Sequence, residues 1–275
     1  MIRNRMLPHG CLVLSVALGG VPAPPPTGRA PARRVWVLRS PEQSAGTPFV
    51  GVIGDSTGSQ LAFALAPELG RRDIAVAIAT VGGCQPTDLM FTYQSPVYFQ
   101  SHRRCGEDAR EAQRELVARY APKVVVWSDV MEWSDIKDGD RTVPAGREEW
   151  RRLVFAAWDR LLARLTGASV VLVLPTWWAG WPPGYPAAFP VDRQRELFRS
   201  WAARHTGRVS VVDPAPLICP DGAPCPQAVG GVRLRTDSVH YTPEGARRVV
   251  AEVLRGSAAL RDLRGPAFTR PGRTR

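Results

Sequence analysis

No apolar run in the 275-residue sequence reaches the roughly 18 to 20 residues that a membrane-crossing helix needs. A polytopic membrane protein is thereby excluded, and no stable membrane insertion of the main domain is expected. Lysine is nearly missing, with two among 36 basic residues. The net charge of +11 raises the question of a nucleic-acid partner. Its distribution argues against one: residues 1–40 hold six Arg and no acid, residues 260–275 hold five Arg and one Asp, and the stretch between is nearly neutral. No nucleic-acid partner is expected. Histidine stops at four and cysteine at five. The cysteines lack the short Cys-x-x-Cys spacing of a zinc site, so no metal and no cofactor is expected.

What is present suits one large domain or two small ones, with 44% hydrophobic and 22% charged residues. The N-terminus runs from basic residues 1–5 through an apolar stretch, 11–18, to Gly, Pro and Ala, the order of a secretory signal peptide. Pro8 and His9 interrupt its start, and Cys11 stands at the head of the apolar run rather than after it. Residues 21–34 are too rich in Pro and Arg to pack and read as a flexible linker. The chain therefore divides into a leader and linker (1–43), a main domain (44–258) and a basic tail (259–275).

Within the main domain, residues 49–54, 74–81, 124–127, 170–174 and 209–212 read as buried strands. Helical periodicity lies between them. It is clearest over 147–166, where Trp150, Leu153, Val154, Ala157, Trp158, Leu161, Leu162 and Leu165 form one apolar stripe. Alternating strands and helices predict an α/β fold, a central parallel sheet covered on both faces. Ligands of such sheets bind beyond the carboxyl ends of the strands.

The first of these strands ends in Gly54-Asp55-Ser56-Thr57-Gly58-Ser59, followed by an apolar helical stretch. Three readings compete. Gly-x-Ser-x-Gly matches a tight turn that exposes a nucleophilic serine. Ser-x-Gly-Ser suits a loop that cradles a phosphate at a helix N-terminus, as in a flavin mononucleotide site. The plainest reading is a polar turn with Ser56 or Thr57 capping the helix.

A second segment, Thr236-Asp237-Ser238-Val239-His240-Tyr241-Thr242-Pro243-Glu244-Gly245, lies far downstream. Thr242 as N-cap and Pro243 at the first helical position start the last helix, which places His240 in the loop before it. A nucleophilic serine needs a base, and the base needs a carboxylate to fix its tautomer. Asp237 stands three residues before His240. Of the other histidines, His9 falls in the leader, His205 ends a helix and His102 belongs to a polar connection.

Together these two motifs resemble those of the SGNH or GDSL family of serine hydrolases over about residues 48–256. That resemblance implies a flavodoxin-like three-layer α/β/α sandwich, with Ser56 as nucleophile, His240 as base and then acid, and Asp237 as the orienting carboxylate. It also implies an oxyanion hole built from the Ser56 amide and a glycine after the second strand, Gly82 or Gly83, with Gly83 favoured. The family's third donor is an asparagine after the third strand. None occupies that slot here: Ser128 is the candidate replacement, and Asp129 as a carboxylate would repel an oxyanion.

Apart from Cys11, the cysteines are Cys84, Cys105, Cys219 and Cys225, which allow three pairings. The simplest joins Cys84 to Cys105 and Cys219 to Cys225, and two disulfides imply an oxidising compartment. Gly-Cys-x-Pro after the second strand and the Cys pair before Asp-x-x-His are similar to the extracytoplasmic SGNH domains attached to bacterial acyltransferase-3 membrane proteins. This narrower resemblance implies a secreted or cell-surface esterase or O-acyltransferase acting on acyl groups of a glycan, alone or with a separate membrane acyltransferase as partner. Trp177, Trp178 and Trp181 cluster after the fourth strand, where exposed rings would stack on a sugar or line an acyl pocket. A non-catalytic glycan-binding module on the same fold is the alternative.

Overall fold

The computed structural model describes residues 34–39, 43, 46–92, 102–129, 134–177 and 191–264. The leader, Trp178, Trp181 and the last eleven residues lie outside them. The central sheet consists of β1 (Trp36–Leu38), β2 (Phe49–Gly54), β3 (Ala75–Thr80), β5 (Val124–Ser128), β8 (Ser169–Val173) and β9 (Val209–Val212). Their spatial order is β1-β3-β2-β5-β8-β9. All pairings are parallel except that of β1, which runs antiparallel to β3 with Val37 opposite Ala77.

Strand side chains alternate between two buried faces. Val50, Val52, Val124, Val126, Val171 and Val173 point to one core, whereas Ile53, Val125, Trp127, Val170 and Leu172 point to the other. Burial on both sides explains why these runs are continuously apolar. The first core is covered by α1 (Ser56–Gly70) and α6 (Pro243–Gly256), with the short α5 (Ala215–Ile218) and α7 (Ala258–Asp262). The second is covered by α2 (His102–Tyr120), α3 (Glu148–Arg164) and α4 (Val191–Ala202). This is the three-layer α/β/α sandwich expected from the sequence.

The chain leaves β2 outward to β3 through α1, then returns past β2 to β5 through α2. Because each crossover is right-handed, this reversal puts α1 and α2 on opposite faces and opens a crevice at the carboxyl ends of β2 and β5. The connections on that edge carry the minor elements. β4 (Met90–Phe91), β6 (Ile136–Asp138) and β7 (Arg141–Val143) form a three-stranded antiparallel sheet, and β10 (Ala228–Val229) with β11 (Val232–Arg233) forms a hairpin turned by Gly230 and Gly231.

Trp127 on β5 packs edge-on against Trp158 of α3 at 5.8 Å and against Phe198 and Trp201 of α4 at 5.6 Å each. Trp158 and Phe198 stack at 4.6 Å. Trp150 is 1% and Trp158 0% exposed, as their place on the helical stripe requires. Among the described residues, β1 lies ahead of residue 44 and α7 runs past residue 258.

Candidate active site

Strand β2 sits between β3 and β5, and its last residue, Gly54, is paired with Thr80 on one side and Ser128 on the other. Gly54 has φ +128°, and a Cβ there would stand 1.7 Å from the Ser128 carbonyl oxygen. Only glycine lets the strand turn this sharply against its neighbour. Asp55 follows in extended conformation and is the N-cap of α1: its Oδ1 accepts from the Thr57 amide at 2.8 Å and from the Thr57 hydroxyl at 2.6 Å. The cap is thus Asp55 rather than Ser56 or Thr57. A carboxylate at this end also complements the helix dipole and occupies an amide that a phosphate would need, which counts against the phosphate-cradle reading. Ser56 opens the helix with its hydroxyl unengaged by capping.

The downstream motif forms a closed turn. Thr242 N donates to Leu234 O and Thr236 N to His240 O, both at 2.9 Å, and Arg235 bridges to Tyr241. Inside it, Asp237 Oδ1 accepts from the Val239 and His240 amides at 2.7 Å each, and Oδ2 lies 2.8 Å from His240 Nδ1. The three-residue spacing of Asp and His is what lets one carboxylate fasten both the backbone and the ring. Tyr241 N donates to Gln60 Oε1 at 2.8 Å, tying the turn to α1 one helical turn beyond Ser56. His240 Nε2 reaches Ser56 Oγ at 2.8 Å across 184 residues of sequence. With a carboxylate accepting at Nδ1, that nitrogen carries the proton and Nε2 is free to accept from the serine hydroxyl. Burial pushes the Asp237 carboxyl up, but hydrogen bonds from the His240 amide, the His240 ring and the Val239 amide outweigh it and hold the group below the ordinary carboxylate range.

Gly83, with φ +70°, lies in the turn after β3. Val81 N donates to Gly54 O and Cys84 N to Val81 O, both at 3.0 Å, so this turn is fastened beside the one carrying Ser56. Among the described residues neither the Ser56 nor the Gly83 amide donates to a protein acceptor. Ser128 is only 6% exposed, and its hydroxyl faces Thr57 Oγ1 at 3.3 Å, within the buried cap network under the turn. It makes no hydrogen bond with Ser56. The chain's single asparagine is Asn4, so no asparagine elsewhere in the sequence stands in for the missing donor.

Cys84–Cys105 and Cys219–Cys225 are disulfide-bonded, in the simplest pairing. The first fastens the Gly83 turn to α2, and Asp88 beyond it is held by Arg160 of α3. Trp177 is partly buried: its Nε1 donates to Asp192 at 3.0 Å, and the Arg195 guanidinium covers its ring at 4.6 Å. Sequence reasoning missed Gln60, Thr176 and Arg235, which sit in no recognisable motif. No cluster of three or more metal-ligating side chains occurs among the described residues, and no helix among them is long and apolar enough to cross a membrane.

A family model described as an SGNH domain fused to AT3 domains matches residues 29–255. No curated protein sequence matches the chain. Among solved structures, the chain is similar to the periplasmic domain of a lipopolysaccharide acetyltransferase from Salmonella ser. Paratyphi A, with TM-score 0.53 and 16% identity over 77% of this chain and 84% of that one. It is also similar to a lipase/acylhydrolase from Enterococcus faecalis, with TM-score 0.50 and 15% identity over 76% of this chain and 94% of that one. At these identities the likenesses establish the fold. The family match spans most of the sequence, and the chain belongs to the SGNH family of hydrolases and acyltransferases.

Proposed function

We propose that the chain is a serine-dependent esterase or O-acyltransferase that removes or moves small, acetyl-like groups on a carbohydrate through an acyl-enzyme. The observation that carries this reading is the continuous contact from Asp237 through His240 to Ser56, with 2.8 Å at each step. Ser56 Oγ attacks the ester carbonyl carbon while its proton passes to His240 Nε2. The oxyanion is held by the amides of Ser56 and Gly83, with the N-terminus of α1 behind the first. Collapse breaks the bond to the alcohol, which leaves with the proton from His240. Water or an acceptor hydroxyl then attacks the acyl carbonyl, gives its proton to His240, and Ser56 recovers a proton as the product departs.

The glycan assignment draws on the lipopolysaccharide acetyltransferase named among the similar structures and on the family's fusion to AT3 domains. On the same ground an acyltransferase-3 membrane protein is the proposed partner. Two disulfides support an extracytoplasmic location. A non-catalytic glycan-binding module is the second reading, favoured by the lack of a third oxyanion donor.

Hydrolysis of p-nitrophenyl acetate by the purified full chain separates the two. Ser56→Ala should lower the rate by roughly 10³-fold or more, and a serine-directed phosphonate should add its mass to the native protein alone. Equal rates in both proteins would leave the binding module.

A further inference from the structure

Arg235 is 1% exposed, yet among the described residues none of its hydrogen-bond acceptors is a carboxylate. Its Nη1 donates to the carbonyl of Val239, the residue before His240. Its Nη2 donates to the Thr176 hydroxyl and, at 3.1 Å, to the Trp177 carbonyl, both in the segment that follows β8. The guanidinium lies over the Tyr241 ring at 4.9 Å, and the Tyr241 hydroxyl itself meets Thr176 Oγ1 at 3.2 Å. Withdrawing a cation from water onto neutral acceptors is costly, and an apolar side chain of similar volume would fill the same space without that cost. What the guanidinium adds is a planar fork that reaches two stretches of chain at once, which neither a methionine nor a single ammonium reproduces.

Those two stretches are the ones whose separation decides where the imidazole sits. The turn from Thr236 to His240 is exposed on its outer side, where Arg233 grips the Arg235 and Thr236 carbonyls at 2.8 Å each. From within, it is held to the segment after β8 by Arg235 and to α1 by Gln60. Asp237 orients the ring inside the turn but belongs to the turn itself, so it cannot fix the turn against Ser56. We infer that Arg235 is a positioning residue: it anchors the His240 turn to the segment after β8 and so keeps Nε2 of the imidazole on the Ser56 hydroxyl. This deepens the proposed reaction and rests on it for its kinetic consequence, though not for its structural one.

The test compares wild type with Arg235→Met, Arg235→Lys and, as a reference for an imidazole with no hydroxyl at Nε2, Ser56→Ala. Two-bond 1H–15N correlation spectra report, through the Nε2 shift, the hydrogen bond accepted by the ring of His240, one of only four histidines. Wild type should show a hydrogen-bonded Nε2. Arg235→Met should move the Nε2 shift toward that of Ser56→Ala while Asp237 keeps the proton on Nδ1, with a folded near-ultraviolet spectrum, and kcat for p-nitrophenyl acetate should fall by about ten- to a hundredfold while KM changes less than about twofold. Arg235→Lys should lie between wild type and Arg235→Met. An unchanged Nε2 shift and kcat in Arg235→Met would overturn the proposal by showing that the residue only fills space. If the methionine variant fails to fold, the lysine variant decides in the same way. If wild type turns over no ester, the esterase reading fails, while the Nε2 comparison still decides the role of Arg235.

Discussion

The carboxyl of Asp237 is the residue on which the candidate site's pH behaviour turns. Burial favours its protonated form, whereas two amides and the His240 ring favour the carboxylate, and the hydrogen bonds prevail. A carboxyl whose folded pKa is depressed contributes above its unfolded pKa, and the contribution is lost as pH falls through the folded value. Asp237 should therefore remain ionised through the ordinary carboxylate range. The acid limb of the kcat/KM profile should then show the uptake of a single proton above the ordinary carboxylate range, with a second appearing only below it. A two-proton limb at pH 5 to 6 would contradict this. Since the Asp237 side chain is 56% exposed, Asp237→Asn should barely change the melting temperature. It should nevertheless lower kcat at neutral pH by about 10²- to 10⁴-fold, because an amide no longer selects the tautomer in which Nε2 accepts.

At the scale of elements, the site is two turns held beside a third, and their fastenings differ in kind. The Ser56 turn is fixed by backbone pairing on both sides, the His240 turn by side chains, and the Gly83 turn by a covalent bond to α2. Cys84 and Cys105 are 21 residues apart, whereas Cys219 and Cys225 are six apart. In the chain-entropy account, closing these loops stabilises the fold by about 3 and about 2 kcal/mol, respectively. Replacing Cys84 and Cys105 by Ala should accordingly cost more in urea denaturation than replacing Cys219 and Cys225. It should also lower kcat by loosening the proposed oxyanion donor, Gly83, whereas the second pair should leave kcat within about twofold of wild type. Equal kcat losses in the two double variants would separate the Gly83 turn from catalysis. The central strands were legible because burial on two faces leaves an unbroken apolar run, and the two motifs because one places a serine at a strand end and the other an Asp–His pair just ahead of a helix. Strand β1 was not: three residues at the end of a Pro/Arg-rich stretch acquire their conformation only by pairing with β3. Arg235 was equally silent, since one arginine among many in this sequence declares nothing until folding buries it.

For the whole molecule, topology and exposure together bear on the choice between hydrolysis and transfer. Strand order reverses between β2 and β5, where Ser56 stands at the carboxyl edge of the sheet, and the proposed base, His240, approaches from the turn ahead of α6. The rim is wet: His240 is 35% and Asp237 56% exposed at the side chain. Hydrolase and transferase share the acyl-enzyme and part only at the second step, where the outcome depends on whether water or an acceptor hydroxyl stands nearest the acyl carbonyl. Water at about 55 M reaches so exposed a base more often than a millimolar acceptor does, unless bound acceptor is held in a near-attack pose worth a large effective molarity. The purified chain alone, given p-nitrophenyl acetate and a millimolar oligosaccharide acceptor, should thus release nearly all of its acetyl groups as acetate. Addition of an acyltransferase-3 membrane protein in lipid nanodiscs should raise the share of acetylated saccharide measured by mass spectrometry, by covering the crevice and delivering the acyl group there. If the isolated chain already passed half of its acetyl groups to the sugar, the selectivity would lie in the acceptor site itself, and the open rim would no longer set the outcome.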